Sequence, residues 1–405
     1  MAHANDDHEI SPGAWPPVTF ETQAWQSSDA DYGSRKQLRV HRGPYQAAVP
    51  ARIATLDPAL GVELLAAVED ATIAITRFDS ENAAELAPFA ALLLRSESAA
   101  SSQIENLTAS ARSIATAELG DRSRKNANMI VANAKAMTAA IELADRLDGA
   151  SIIAMHEALL GDTHPEWVGH WRDEQVWIGG SSIGPHTADY VAPHHDRIPS
   201  AIADLVDFMD RDDLPVLVQA AIAHAQFEAI HPFPDGNGRV GRSLVHSLLR
   251  AKGITRSITV PVSAGLLANR EAYFGALEAY RAGRPQLIVE QFAVAGHAAV
   301  ANGRGLTDDL HRLQREWSQR IVARSGAAAW RVATMLTQQP VINAASVQAQ
   351  LGVTDVTATS AIKTLVDAGV LSQAGGGKRY RVWAAVEVLD ALDDFARRAG
   401  RRTRV

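Results

Sequence analysis

The chain has 405 residues, no cysteine and a formal net charge of −7, with 47% apolar and 21% charged residues. That length exceeds what one hydrophobic core organises, so two or three domains are expected. Without cysteine there are no disulfides, thiolate nucleophiles or zinc–thiolate sites, and the acidic balance argues against a surface built to wrap nucleic acid. No apolar run approaches the roughly 20 residues that cross a bilayer. The first ten residues carry Asp6, Asp7 and Glu9 where a signal peptide would be basic and then apolar, so a cytoplasmic protein without membrane association is expected.

Up to about Ala48 the chain is rich in Asp, Ser, Gly and Pro and reads as a mostly extended leader. Apolar residues then recur at three- and four-residue spacing over Leu60 to Arg77, Glu85 to Glu97 and Asn128 to Leu147, which predicts an Ala-rich helical domain that Ser151 to Leu160 and Pro199 to Met209 extend. Gln175 to Pro193 is the one stretch with strand character. There Val176, Trp177 and Ile178 precede Gly179-Gly180, and Tyr190-Val191 follow a polar turn, which predicts a hairpin. An apolar helix over Leu217 to Ile230 must stop at Pro232, and a second resumes near Arg239. Leu306 to Ile321 reads as an amphipathic spacer helix. Ala327 to Leu336, Ala344 to Leu351 and Val356 to Ala368 are three short helices. Val370-Leu371, Gly375 to Gly377 and Tyr380 to Trp383 then complete a winged helix.

The chemistry is concentrated between the two apolar helices, in His231-Pro232-Phe233-Pro234-Asp235-Gly236-Asn237-Gly238-Arg239-Val240-Gly241-Arg242. Gly236 and Gly238 tolerate positive φ, so successive amides around Asn237 can converge into an anion-binding nest where the second helix offers its positive end. Arg239 and Arg242, three apart, give two guanidinium forks for phosphate oxygens. Asp235 is a single carboxylate beside those phosphates, the usual way of holding Mg²⁺. His231, with an ordinary pKa of about 6.5, is suited to taking a proton from an attacking hydroxyl. A lone histidine, a lone GxG or two arginines would each be ordinary; their coincidence within twelve residues points to a nucleotide site. Phe233 reads as a core anchor for the loop.

His231 to Arg242 resembles the Fic family signature HPFx(D/E)GNGRxxR at all nine specified positions. The resemblance implies an all-α Fic core over about 148–300 with a small hairpin flap, after a leader and helical domain at 1–147 and before a helical linker at 301–325 and a winged-helix domain at 326–405. It implies transfer of AMP from ATP to a Ser, Thr or Tyr hydroxyl of a target protein, with Mg²⁺ as cofactor. His231 would be the general base and Asp235 the metal ligand. Gly236, Asn237, Gly238, Arg239, Val240, Gly241 and Arg242 would form the ATP-binding segment, with Tyr273 as the aromatic against the base. Residues 175–193 are similar to the flap on which the target pairs as an added strand. They end in Ala192-Pro193-His194-His195, not in a run of prolines, and with no carboxylate or third histidine at ligand spacing the two histidines read as surface residues.

Ser101-Ser102-Gln103-Ile104-Glu105-Asn106 resembles the family's inhibitory motif (S/T)xxxE(G/N), with Ser101, Glu105 and Asn106 in the specified places. Glu105 would then pair with Arg242 and occupy the fork meant for the γ phosphate. A homodimer is expected from the resemblance alone. From Gly326 onward ten Lys and Arg face six Asp and Glu, with Arg397, Arg398, Arg401, Arg402 and Arg404 forming a basic tail. The candidate recognition helix carries only Lys363 against Asp367, and the wing carries Lys378, Arg379 and Arg381. A dimerisation or target-docking role is therefore expected over DNA binding.

Overall fold

The structure, a computed structural model, describes residues 15–25, 39–80, 87–375 and 381–400. It is mostly helical, with short strands gathered into three small sheets. Its centre is α7, Val216–Ile230. Every residue from Leu217 to Ile230 is buried, as expected for a helix whose apolar residues surround it instead of forming a stripe. Around it pack α6 (Ile198–Asp210), α8 (Asn237–Ala251) and α11, a 35-residue helix over Gln286–Arg320. On the other side of α8 lie α2 (Ala90–Ile104), α4 (Lys125–Glu142) and α5 (Gly149–Leu160). Asp148 caps α5 through a reciprocal pair of bonds with Ser151, which fixes where the helix starts.

Several expectations are revised. The leader contains β1 (Thr19–Gln23), paired antiparallel with β2 (Tyr45–Val49), so the 175–193 hairpin is not the one stretch with strand character. The helix expected from Leu60 is α1, Val62–Ser80, and the one expected from Glu85 begins as α2 at Ala90 after a 3₁₀ turn; Glu85 itself lies outside the described residues. A short α3, Ala111–Glu118, had no expectation behind it. The spacer helix is the second half of α11. Leu306, Leu310, Leu313 and Trp317 are buried along it, so it joins the central bundle and the C-terminal module without a break and does not act as a separate linker.

The C-terminal module has the three expected helices, α12 (Ala328–Leu336), α13 (Ala344–Leu351) and α14 (Asp355–Asp367), and a sheet in the order β5 (Val341–Ile342), β7 (Val382–Ala384), β6 (Ser372–Gly375). The wing's Lys378 and Arg379 and the tail's Arg401, Arg402 and Arg404 lie outside the described residues; Arg381 is exposed. An unforeseen α15, Val386–Ala399, packs Leu392 and Phe395 into the common core against α2 and α11. Arg397 and Arg398 belong to this helix and not to a free basic tail. Arg397 pairs with Asp394, and Arg398 donates to Asn302 Oδ1 at 2.9 Å. Asp393 accepts from the Ala111 amide at 2.9 Å and Arg95 of α2 donates to the Gln338 carbonyl at 3.2 Å, so the module is docked on the helix that leads into Glu105. Among the described residues no helix is long and apolar enough to cross a membrane.

Candidate active site

His231 follows the last residue of α7 and adopts the left-handed conformation, φ 51° and ψ 60°, which turns the chain out of the helix just before Pro232. A non-glycine residue in that region needs support. Arg172 supplies it: its Nε donates to the His231 carbonyl at 2.8 Å and its amide to the Pro232 carbonyl at 3.0 Å. The remaining guanidinium nitrogens donate to the carbonyls of Glu174 and Pro193, both at 2.7 Å, so one side chain ties the loop to both ends of the flap. Arg172 is only 2% exposed, and burial lowers its pKa to about 10, still protonated at neutral pH. Sequence reasoning passed over it, since an arginine between Trp171 and Asp173 carries no pattern. Arg172→Ala is expected to destabilise the fold by on the order of 3 kcal/mol, because buried carbonyls lose a charged donor. A urea unfolding midpoint little changed from the parent would contradict that.

Beyond His231 the loop is fastened from within. Asn237 is buried, accepts from the Phe233 amide at 2.9 Å and donates to the Phe233 carbonyl at 2.8 Å. Phe233 is fully buried and stacks on His156, with centroids 3.8 Å apart and planes 4° from parallel. The Nε2–H of His156 donates to the Asp235 carbonyl at 3.1 Å, and burial lowers the pKa of that ring to about 4. Gly236 sits at φ 81° and starts α8; Val240 is the first residue whose amide reaches back to Gly236, at 2.9 Å. The amides of Asn237, Gly238 and Arg239 therefore form the open end of the helix, where an anion is favoured. A Cβ on Gly238 would come within 2.5 Å of Glu105 Oε1, so only glycine allows that carboxylate so near the helix end.

The Ser101 to Asn106 segment meets the loop at Arg242, where the resemblance placed Glu105, and its contacts extend further. Arg242 donates through Nε to Ser101 Oγ at 2.9 Å and through Nη2 to the Ser101 carbonyl at 2.9 Å and Glu105 Oε1 at 2.7 Å. The second carboxylate oxygen, Oε2, lies 2.8 Å from Arg239 Nε without a hydrogen-bonding angle, so Glu105 hydrogen-bonds Arg242 and ion-pairs with both guanidinium groups. Arg239 also reaches Asp235 Oδ2 at 3.0 Å. The chain can place Glu105 there because α2 ends at it and Asn106 takes a positive φ of 63°, a conformation that asparagine tolerates and that explains why a small or amide residue follows the glutamate. The Asn106 side chain accepts from Arg270 at 2.6 Å.

Three expected nucleotide contacts are corrected. Tyr273 is fully buried, with its hydroxyl 2.7 Å from His224 Nε2, and stands behind Arg242 in the core; burial raises its pKa. The next residue, Phe274, 40% exposed, lines the cleft instead. One helical step separates the two, which sequence spacing alone did not resolve. Val240 is fully buried in the core, and Gly241 is wedged against α7, where a Cβ would meet Phe227 and His224 at 3.0 and 3.1 Å. Neither lines the cleft, whereas Asp235, Gly236, Gly238, Arg239 and Arg242 do.

The cleft has a volume of about 870 Å³, within the range of small-ligand sites, and His231, Asp235, Glu105 and the flap residue Ile178 border it. Burial, reinforced by the positive charge of Arg172, lowers the pKa of His231 to about 4, so its ring is neutral at pH 7 and able to accept a proton. Burial alone would lower the pKa of Arg242, but Glu105, Tyr273 and Glu228 more than offset it and the shift is upward. The flap comprises β3 (Trp177–Ile178), which among the described residues pairs only with β4 (Tyr190–Val191). The N-terminal hairpin buttresses it. Trp25 packs edge-on to Trp177, and the Tyr45 hydroxyl donates to Gln175 Oε1 at 2.9 Å. At the flap's far end Asp196 lies 3.3 Å from His194 and 3.5 Å from His195, so a carboxylate does stand at ligand distance from those histidines, contrary to the sequence reading. A further group went unnoticed in the sequence although a signal was there: His224, Glu228 and His231, at spacings of four and three, share one face at the C-terminal end of α7.

Residues 146–249 match the Fic/DOC family. The chain is 28% identical over 152 residues to protein adenylyltransferase fic-1 of Caenorhabditis briggsae, covering 37% of this chain and 27% of that protein. It is 36% identical over 116 residues to a probable protein adenylyltransferase of Aquifex aeolicus, covering 26% and 34% respectively. The chain thus spans roughly a quarter to a third of the length of these curated relatives. Among solved structures, a Fic family protein from Desulfovibrio desulfuricans G20 aligns with a TM-score of 0.49 and 21% identity over 84% of this chain and 98% of that one.

Proposed function

Starting from residues 146–249 as a domain of the Fic/DOC family, we propose that the chain is a protein adenylyltransferase that moves AMP from ATP to a Ser, Thr or Tyr hydroxyl of a target protein, and that Glu105 restrains it. The observation that carries this reading is the pair of buried arginines, Arg239 and Arg242, both lining the cleft at the N-terminus of α8 and both occupied by one carboxylate. A site that holds a carboxylate with two guanidinium forks beside free helix amides is chemically a phosphate site with a substitute in it.

The target segment adds to the open edge of β3 and presents its hydroxyl to His231. The His231 ring takes the hydroxyl proton as the oxygen bonds to the α phosphorus. The bond to the pyrophosphate oxygen breaks, and pyrophosphate leaves with its charge spread over Arg239, Arg242 and the α8 amides. The Asp235 side chain is half exposed in the cleft and among the described residues its one ion-pair partner is Arg239, which supports Asp235 as the residue that would hold Mg²⁺ once phosphate draws that arginine away. Bound there, the ion would neutralise phosphate charge. While Glu105 keeps the forks, ATP lies in a pose unsuited to in-line attack. Homodimerisation and a cytoplasmic setting belong to the same reading.

Asp235→Ala is expected to weaken Mg²⁺-dependent nucleotide binding by about tenfold or more while leaving metal-free binding near the parent's. Titrating ATP with and without Mg²⁺ checks it, and an unchanged metal dependence would move the ligand elsewhere. The adenylyltransferase reading itself is tested by incubating the Glu105→Gly protein with labelled ATP and cell extract, then mapping the modified residues. Labelled protein without AMP on any hydroxyl would overturn it.

A further inference from the structure

We propose that Glu228 is a positioning residue for His231: a carboxylate behind the ring that holds the proton on Nδ1 and so leaves Nε2 free to accept one from the target hydroxyl. The proposal rests on His231 being the general base. Its geometry comes from α7 itself, since residues three apart share a helix face. Nδ1 of His231 is buried and has no hydrogen-bond partner, and the nearest carboxylate oxygen, Glu228 Oε2, is 3.9 Å away. A modest swing of the ring closes that gap. The backbone carbonyl of Glu228 also favours a proton on the ring, without making a hydrogen bond, and is the rival acceptor.

Glu228 is 7% exposed, an environment in which a carboxylate persists only if the surroundings support it. Five titratable or charged groups besides His231 face it. His224 on its own helix is 4.0 Å from Oε1, and Arg242 comes from α8, Glu105 from the end of α2, and Arg281 and Tyr273 from α10 (Arg270–Arg281). Its pKa is raised to about 7, by burial first and by the Glu105 charge, against the pull of Arg242 and Arg281. The two protonation states have opposite consequences. As a carboxylate Glu228 accepts from Nδ1–H and selects the productive tautomer. As a carboxylic acid it donates to Nδ1, which places the ring proton on Nε2 and blocks the base. Glu105 therefore restrains the site twice, by filling the arginine forks and by disfavouring the charged form of Glu228.

The test measures the tautomer directly, so it does not depend on turnover. In the full chain labelled with ¹⁵N-histidine, long-range nitrogen–proton correlation at pH 8.5 should show His231, identified by its loss in His231→Asn, as the Nδ1–H form. Glu228→Gln, whose amide oxygen still accepts, should keep that form. Glu228→Ala should shift the ring to the Nε2–H form that free imidazole side chains prefer. Kinetics in the Glu105→Gly background add a second measurement. Glu228→Ala should lower kcat roughly ten- to hundredfold with little change in KM for ATP. The acid limb of kcat, which the lost Glu105 charge should set below pH 7, should move in Glu228→Gln down toward the value of His231 itself, about 4. An Nδ1–H tautomer retained in Glu228→Ala, or an acid limb unmoved in Glu228→Gln, overturns the proposal. Absence of any AMP transfer by Glu105→Gly would instead count against the adenylyltransferase reading, and the tautomer measurement would still decide this one.

Discussion

Glu105→Gly is expected to raise AMP transfer by at least about tenfold, the change that follows when one competitor worth roughly 1.4 kcal/mol leaves a shared site. The structure sharpens the expectation, because the glutamate holds both Arg239 and Arg242 and its removal opens two forks at once. Apo Glu105→Gly should also melt at a lower temperature than the parent, since two buried guanidinium groups lose their shared counter-charge. ATP should restore more stability to the variant than to the parent. Glu105→Gln removes the charge but keeps a side-chain oxygen near the guanidinium groups, so partial activation is expected and would separate charge removal from loosening of α2. Adding Arg242→Ala to Glu105→Gly should abolish the gain. Equal transfer rates for parent and Glu105→Gly across a range of ATP concentrations would end the inhibitory reading of Ser101 to Asn106.

What was legible in the sequence was whatever had a period or a compact motif. The strongly apolar character of Leu217 to Ile230 marked a central helix, and Pro232 marked its end. Gly236 and Gly238 marked a backbone able to take positive φ; Gly236 does so, whereas Gly238 serves by admitting Glu105 close to the helix end. The Ser101 to Asn106 segment was legible because its polar residues stand at fixed offsets. What escaped notice depends on partners distant in sequence. Arg172 acts only through the carbonyls of His231, Glu174 and Pro193, and no local pattern announces a side chain whose partners are backbone atoms. The pairing of Thr19–Gln23 with Tyr45–Val49 spans more than twenty residues, and its purpose, bracing the flap through Trp25 and Tyr45, exists only in three dimensions. Tyr273 and Phe274 show a third limit. Periodicity says that an aromatic belongs on that helix, but a difference of one residue rotates the ring by about a hundred degrees, from the cleft into the core.

The largest loss is expected from His231→Ala, roughly 10²- to 10⁴-fold in AMP transfer measured in the Glu105→Gly background. Two features of the site set that size. The ring is neutral at pH 7 because burial and Arg172 lower its pKa to about 4, so essentially every molecule carries an uncharged imidazole there. The same low value makes it a weak base, so the gain over water comes largely from position, which truncation to alanine removes completely. The fold should survive, since the loop is held by Arg172, Asn237 and Phe233 and the His231 ring has no hydrogen bond of its own to lose. Part of any stability change reflects the backbone, because alanine at φ 51° is more strained than histidine. His231→Asn tolerates that conformation and is the cleaner variant. ATP affinity should remain near the parent's in both, as the phosphate ligands are untouched. A His231→Asn protein that still transferred AMP at close to the parental rate, with normal ATP binding, would assign the proton to another acceptor, and the neutral imidazole beside the cleft would have no catalytic part.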